Sequence, residues 1–239
     1  MGYRVGCSGW SYRHWRDAFY PHGLRQADWF KHYSTVFDTV EINNSFYRTP
    51  TEETFRAWRQ KAPAGFLYAV KVNRAITQYH KLGPPACPLF GDFVHRAERL
   101  EDRLGPLLLQ LPPSLHRDCE RLSAFLAHPT ASKHRLAFEF RHASWFADEV
   151  YTILRDHRVA LVLSDFKDLP IPEVATTDWT YVRLHGPSGG YWGSYPDSTL
   201  RVWADRLKAL SREGYVYFNN DMEAAAPHDA LRMRKLLSG

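Results

Sequence analysis

Short apolar runs recur along the chain at 3–7 (YRVGC), 38–42 (DTVEI), 67–73 (LYAVKVN), 106–111 (PLLLQL), 136–140 (LAFEF), 159–163 (VALVL), 180–185 (TYVRLH) and 215–219 (YVYFN). Each has the length and β-branched or aromatic content of a strand, so eight strands are predicted. Most of the intervening segments have a helical period with recognisable boundary signals. Thr49, Pro50, Thr51 and Glu52 offer a capping oxygen, a proline for the first helical position and a returning carboxylate, followed by an apolar stripe at Phe55 and Trp58. Phe93, Ala97, Leu100 and Leu104 share one face, and Ser144 is placed to cap a helix carrying Val150 and Leu154. Leu200, Trp203, Leu207 and Leu210 form a stripe that runs to a stop at Gly214. Trp29, Phe30, Tyr33 and Phe37 recur at helical spacing and are predicted core.

Strand and helix in alternation build a parallel sheet with right-handed crossovers. Eight such units predict one closed (β/α)8 barrel of the TIM type over residues 1–239, in preference to an open doubly wound sheet. The sixth crossover breaks the pattern. Only about 16 residues separate the sixth and seventh runs, and Asp168-Leu-Pro-Ile-Pro172 interrupts them, so no full helix is predicted there.

Composition narrows the class further. Hydrophobic residues make up 44 % of the chain, too many for disorder, and the length of 239 residues suits a single barrel. Cys7, Cys87 and Cys119 are an odd number without metal or disulfide spacing. With neither a secretory leader pattern nor a long apolar run, this predicts a cytoplasmic protein with no membrane partner. The net charge of +5 is a weak field for a dedicated nucleic-acid binder.

In a barrel, alternate strand residues face the lumen, and the carboxyl ends of the strands carry the site. Period two puts Glu41 with Asn43, Lys71 with Asn73, Glu139 with Arg141, and Arg183 with His185 on inward faces. Gln110 joins them from the fourth strand, Ser164 or Asp165 from the sixth, and Asn219, Asn220 or Asp221 from the eighth. Charges gathered in a barrel mouth need pairing, a metal or a charged ligand. Pairing alone would join Glu41 to Lys71 on neighbouring strands and Glu139 to Arg183. An anionic ligand held by Lys71, Arg141 and Arg183 is the favoured expectation. The glycine-rich His185-Gly-Pro-Ser-Gly-Gly190 loop lies where barrel enzymes often cradle phosphate.

Glu41, Glu139, Asp165 and His185 are candidate ligands for a divalent metal, although no tight spacing requires one. Lys71 invites a second chemistry, a Schiff base with a carbonyl, against which a simple anion clamp is preferred. Aromatic residues make up 15 % of the chain. Some fall on helix stripes and others on predicted mouth loops, among them Trp10, Tyr12, Trp15, Phe46, Tyr47, Trp145, Tyr191, Trp192 and Tyr195, where they could stack on a base or sugar.

Six blocks carry a family resemblance: Gly-Cys-Ser-Gly-Trp-Ser-Tyr (6–12), Val-Glu-Ile-Asn-Asn-Ser-Phe-Tyr-Arg (40–48), Leu-Leu-Leu-Gln-Leu-Pro-Pro (107–113), Phe-Glu-Phe-Arg-His (138–142), Val-Arg-Leu-His-Gly (182–186) and Tyr-Phe-Asn-Asn (217–220). In this order they resemble the signature blocks of the YecE-like family, domain of unknown function number 72. The resemblance implies a TIM-type barrel and supplies no reaction. The family's barrel is similar to those of the endonuclease IV and xylose isomerase groups, which suggests phosphodiester or sugar chemistry by analogy of fold alone. Asp221 and Gln78 stand where the family usually carries histidines, so any proton-transfer role of those histidines does not carry over.

The expected function is therefore an enzyme acting on a small phosphorylated or nucleotide-like anion, with phosphoester hydrolysis as the leading reaction. Glu41 or Glu139 would be general base and His185 acid or base. The substrate-binding set is Trp10, Tyr12, Asn43, Tyr47, Lys71, Gln110, Arg141, Trp145, Arg183, Asn219 and Asn220. A non-catalytic nucleic-acid binder is the alternative. The sequence sets no oligomeric state.

Overall fold

The computed structural model describes residues 2–238 apart from 168 and 171. Eight strands form one parallel sheet: β1 Tyr3–Cys7, β2 Thr39–Ile42, β3 Leu67–Lys71, β4 Leu104–Gln110, β5 Leu136–Glu139, β6 Ala160–Ser164, β7 Trp179–Leu184 and β8 Glu213–Phe218. Hydrogen-bonded ladders join them in the order β1-β8-β7-β6-β5-β4-β3-β2. This is a nearly closed α/β barrel of the TIM type. Its crossovers carry the helices α1 Trp29–Val36, α2 Asn44–Tyr47, α3 Glu52–Lys61, α4 Ala86–Ala97, α5 Cys119–Leu126, α6 Asp148–Asp156 and α7 Asp197–Leu210, and α8 Ala225–Ser238 follows β8. None is long and apolar enough to cross a membrane.

The last gap in the ring, between β1 and β2, is closed by a side chain. Tyr33, on the buried face of α1, accepts from the Cys7 amide at 2.9 Å and donates to the Thr39 carbonyl at 3.0 Å. One phenol thus occupies both backbone groups that a ladder would have paired. The strands approach closely there because residue 6 is glycine: a Cβ would lie 2.4 Å from the Thr39 carbonyl oxygen.

The helices follow their sequence signals with local corrections. The second crossover helix begins at Glu52 with Thr51 as its cap, accepting from the Thr54 amide, so Pro50 lies outside the helix rather than in its first turn. Ser144 sits in a short turn capped by His142 and caps nothing in α6, which starts at Asp148. α7 ends at Leu210, while Gly214 belongs to β8. Leu100 and Leu104 also leave the predicted helix: the chain kinks at Glu101, and Leu104 opens β4. Between β6 and β7 the described residues form no helix, as expected. Asp168 and Ile171, on which the predicted interruption partly rests, lie outside the described residues.

Two cores result. Between the sheet and the helices lie Trp29, Tyr33, Phe55, Phe90, Phe138, Leu163 and their neighbours. Burial of each large apolar side chain there is worth roughly 1.5–3 kcal/mol. Inside the barrel a second cluster packs small Ala69, Ala137 and Ala160 against Trp179, Tyr181, Tyr215 and Tyr217. A third share of the aromatic residues therefore fills the lumen, beyond the helix stripes and mouth loops expected from sequence. This aromatic floor closes the barrel from below and leaves the polar side chains in a layer above it.

Candidate functional site

The polar layer is organised around Arg183, the fifth residue of β7, which is almost wholly buried. Its Nε and Nη2 donate to Glu41 of β2 at 3.0 and 2.9 Å, and its Nη1 donates to Glu139 of β5 at 2.9 Å. Glu41 also accepts from Ser8 Oγ at 2.7 Å and Tyr181 Oη at 2.6 Å. Burial alone would raise both glutamates; the guanidinium groups of Arg183 and, for Glu139, Arg141 hold them below the usual carboxylate range. The expected Glu41–Lys71 pair is thus replaced by Glu41–Arg183 across the lumen, while the expected Glu139–Arg183 pair forms.

Arg141 follows β5 and lies against Glu139, with Nη2 2.6 Å from Oε1 in an ion pair too bent for a hydrogen bond. Its guanidinium stacks 3.7 Å from the centroid of the Phe166 ring. Among the described residues, Nε and Nη1 of Arg141 are buried donors without a protein partner. Guanidinium groups approach His185 from two sides, since Nε2 lies 3.2 Å from Arg141 Nη2 and 3.3 Å from Arg183 Nη1. Both neighbours can only donate, so Nε2 carries the lone pair and Nδ1 the proton. That proton faces Asp165 Oδ1 and Ser164 Oγ, each at 3.3 Å. Burial, opposed by the Asp165 contact and reinforced by Arg183 and Arg141, pushes the imidazole down to about 3. His185 is neutral at any pH near 7.

Asp165 is fixed by further donors, namely the His185 amide at 2.7 Å and the Tyr195 hydroxyl. Tyr195 is held in turn through its own amide, which donates to Asp229 on α8 at 3.0 Å. Fully buried Asp229 also accepts from Ser194, Asn220 and Arg232. A continuous chain of contacts therefore runs from the outer helix to the lumen.

Lys71 ends β3, and its ammonium lies 4.3 Å from the Phe46 ring centroid. Among the described residues no carboxylate comes within 4 Å of it. Burial, the repulsion of Arg183 and Arg141, and only partial relief from Glu139 and Glu41 lower this amine to about 7. Glu41 and Glu139 are engaged by Arg183 and Arg141, which leaves the lysine ammonium without a close carboxylate partner among the described residues.

These groups border two hollows at the carboxyl ends of the strands. One, of about 300 Å³, is lined by Tyr12, Asn43, Tyr47, Lys71, Arg183 and Asn219; the other, of about 420 Å³, by Arg141, Phe166 and Lys167. Gln110 and Tyr191 border both, so the rims meet. Tyr191 reaches this position with φ at +71°, a left-handed conformation that costs a residue with a Cβ about 1–2 kcal/mol. Among the described residues, Asn43 Oδ1 is a buried acceptor without a protein partner.

Several sequence candidates lie elsewhere. Trp145 is 1 % exposed, stacks on Phe140 and donates to the Leu115 carbonyl at 2.7 Å, so it is core. Trp10 packs edge-on against Phe30 and Trp58 in the helix layer. Tyr195 is the lock on Asp165, and the Asn220 side-chain NH2 donates to Gly193 and Asp229, while its Oδ1 is a buried acceptor without a partner among the described residues. Glu41, Glu139, Asp165 and His185 do not converge on a metal site: guanidinium groups occupy both glutamates, and Asp165 is turned to Tyr195. Among the described residues no group of three His, Cys, Asp or Glu side chains is arranged to hold a metal ion. Two amides of the glycine loop are already engaged. The Gly186 and Gly189 amides donate within the loop, and a Cβ on Gly186 would lie 2.3 Å from the Trp192 carbonyl oxygen. Tight backbone packing explains these glycines. Reading the strand faces could have found Tyr181, two residues before Arg183 on the same face; the Phe166 stack, made by a loop, had no such signal.

Residues 4–239 match the profile of a family described as "Protein of unknown function DUF72". A curated relative, UPF0759 protein YunF of Bacillus subtilis, is 27 % identical over 98 % of this chain and 94 % of its own. A crystal structure of a DUF72 family protein from Thermotoga maritima superposes with a TM-score of 0.84 at 28 % identity, covering 100 % of both chains. Another, from Enterococcus faecalis, reaches 0.81 at 17 % identity over 99 % of this chain and 96 % of that one, a likeness of fold.

Proposed function

We propose that this chain, which belongs to the DUF72 family of proteins of unknown function, binds a small anionic ligand in the paired hollows at the mouth of its barrel. One observation carries the reading: Arg141, a permanently charged group, keeps two buried donors without partners among the described residues beside one hollow, and the Lys71 amine borders the adjoining one. An unmade hydrogen bond on a buried group costs about 1–3 kcal/mol, more when the group is charged, and ligand oxygens would remove that cost. A carboxylate or phosphate suits the planar guanidinium, and the Asn43 and Gln110 side chains would orient the rest.

Phosphorylated and nucleotide-like compounds fit this chemistry. Hydrolysis of a phosphoester has less support than binding, because the donors on Glu41 leave it a weak base remote from solvent and His185 aims its lone pair at two guanidinium groups. Arg183, bound to both glutamates, shapes the floor of the hollow, and Lys71 and Arg141 are the cations that would meet the ligand.

Calorimetric titration with inorganic phosphate tests this. Lys71→Met is expected to weaken binding about 10–100-fold, the equivalent of one charged contact of about 1.5–3 kcal/mol. Because the anion favours the protonated amine, affinity should fall as pH rises above about 7. Equal affinities for wild type and variant would reject the site. A nucleic-acid strand on the rim is the second reading, favoured by exposed Tyr47 and Tyr79 with the Arg74 guanidinium 5.5 Å from each ring. A steep fall of affinity with salt would favour the strand, and a shallow one the small anion.

A further inference from the structure

We propose that the Lys71 amine condenses with a small aldehyde or ketone that carries an anionic group, forming an imine at the mouth of the barrel. The inference rests on the anion-binding reading and names the class of compound that the site takes.

The placement of the amine sets it apart from a simple charge clamp. A lysine that serves only as a positive charge gains from a nearby carboxylate. This one has none within 4 Å among the described residues, because Glu41 and Glu139 are engaged by Arg183 and Arg141. Burial opposes its proton most, Arg183 on β7 and Arg141 just after β5 repel it, and Glu139 and Glu41 offset this only in part. The phenols of Tyr12, Tyr47 and Tyr191 face the same hollows. The lowered amine is unprotonated near neutral pH to a greater extent than an ordinary lysine, and its nitrogen borders a hollow of about 300 Å³. A desolvated lysine next to other cations is an activated nucleophile. Phe46 then has a use, since its ring face, 4.3 Å from Nζ, would support the positive charge of a protonated imine.

The step balances without a further reactant. The Nζ lone pair attacks the carbonyl carbon, and the carbonyl oxygen takes up a proton as the nitrogen loses one, giving a carbinolamine. The hydroxyl then leaves as water with a proton from solvent, and the carbon–nitrogen double bond forms. The Arg141 donors would hold the anionic group throughout.

The test compares three probes, glycolaldehyde phosphate, glyoxylate and uncharged glycolaldehyde, each incubated with the full chain at pH 7 and trapped with cyanoborohydride. Peptide mass mapping reads the rate at every lysine. Lys71 is expected to be modified at least 10-fold faster than exposed Lys31, Lys61 or Lys208. The two anionic probes should outpace glycolaldehyde at Lys71 alone, inorganic phosphate should protect Lys71, and Lys71→Arg should remove the fast site. Labelling of Lys71 no faster than that of the exposed lysines, while phosphate still binds, overturns the imine and leaves the anion site standing. Fast labelling by all three probes without protection by phosphate overturns the anionic preference and retains the nucleophile.

Discussion

Arg183→Met is expected to destabilise the protein by about 3–5 kcal/mol, the range for removing one partner of a buried ion pair. The methionine fills much of the arginine's volume, so the loss reports charge more than packing. Glu41 would keep the hydroxyls of Ser8 and Tyr181 but lose its only guanidinium, and Glu139 would keep Arg141. Removing the opposite charge also reverses the response to pH. In the wild type both carboxyls are held below their ordinary range, so their contribution is present above about pH 4 and is lost as the pH falls through the folded values. Without Arg183, burial dominates at Glu41 and raises it, so the folded variant binds more protons than the unfolded chain and loses stability from pH 4 to 7. Urea unfolding across that range checks both the size and the slope. A variant within 1 kcal/mol of wild type, with an unchanged slope, would mean that the Glu41–Arg183–Glu139 network does not hold the lumen.

Asp229→Ala is the second large effect expected. This carboxylate lies among the helices, away from the hollows, and its loss would strand the Tyr195 amide and the Asn220 amide group in the interior. At about 1–3 kcal/mol for each of the two orphaned donors, the total comes to about 2–6 kcal/mol. Asp229→Asn keeps one acceptor and should cost less. The functional consequence follows the chain of contacts, because a loosened Tyr195 releases Asp165, and Asp165 sets the His185 ring that orients Arg141. Phosphate affinity should fall in Asp229→Asn even where the fold survives. Unchanged stability and unchanged phosphate binding in both variants would show that the outer helix does not position the site.

The strands were legible because parallel strands covered on both faces are written as unbroken apolar runs, and all eight begin within two residues of the predicted positions, at Tyr3, Thr39, Leu67, Leu104, Leu136, Ala160, Trp179 and Glu213. Period two also placed Glu41, Glu139, Arg183 and His185 in the lumen. It could not say which of them would touch. Partners across a barrel depend on stagger between strands, which no single strand encodes, so Glu41 meets Arg183 from the far wall instead of Lys71 from the adjacent strand. The loops were harder still. Trp145 and Tyr191 both follow strands as aromatic residues in polar company, yet one is stacked in the core and the other is carried by a left-handed backbone to the rim. Glycines in the loop after β7 read equally as an anion cradle or as tight backbone packing, and only the close approach of Gly186 to Trp192 decides it.

Much of this account turns on one proton. Glu41 and Glu139 are engaged by Arg183 and Arg141, so the Lys71 ammonium is the charge that an anion would complete. Nuclear magnetic resonance of 13C,15N-lysine-labelled protein, with the Lys71 signal assigned by Lys71→Arg, measures this directly. The amine is expected to titrate at about 7 in the free protein and to move upward by one unit or more when inorganic phosphate saturates the site. A Lys71 signal that titrates near the ordinary lysine value of about 10.4, or one that stays at about 7 in saturating phosphate, would contradict it.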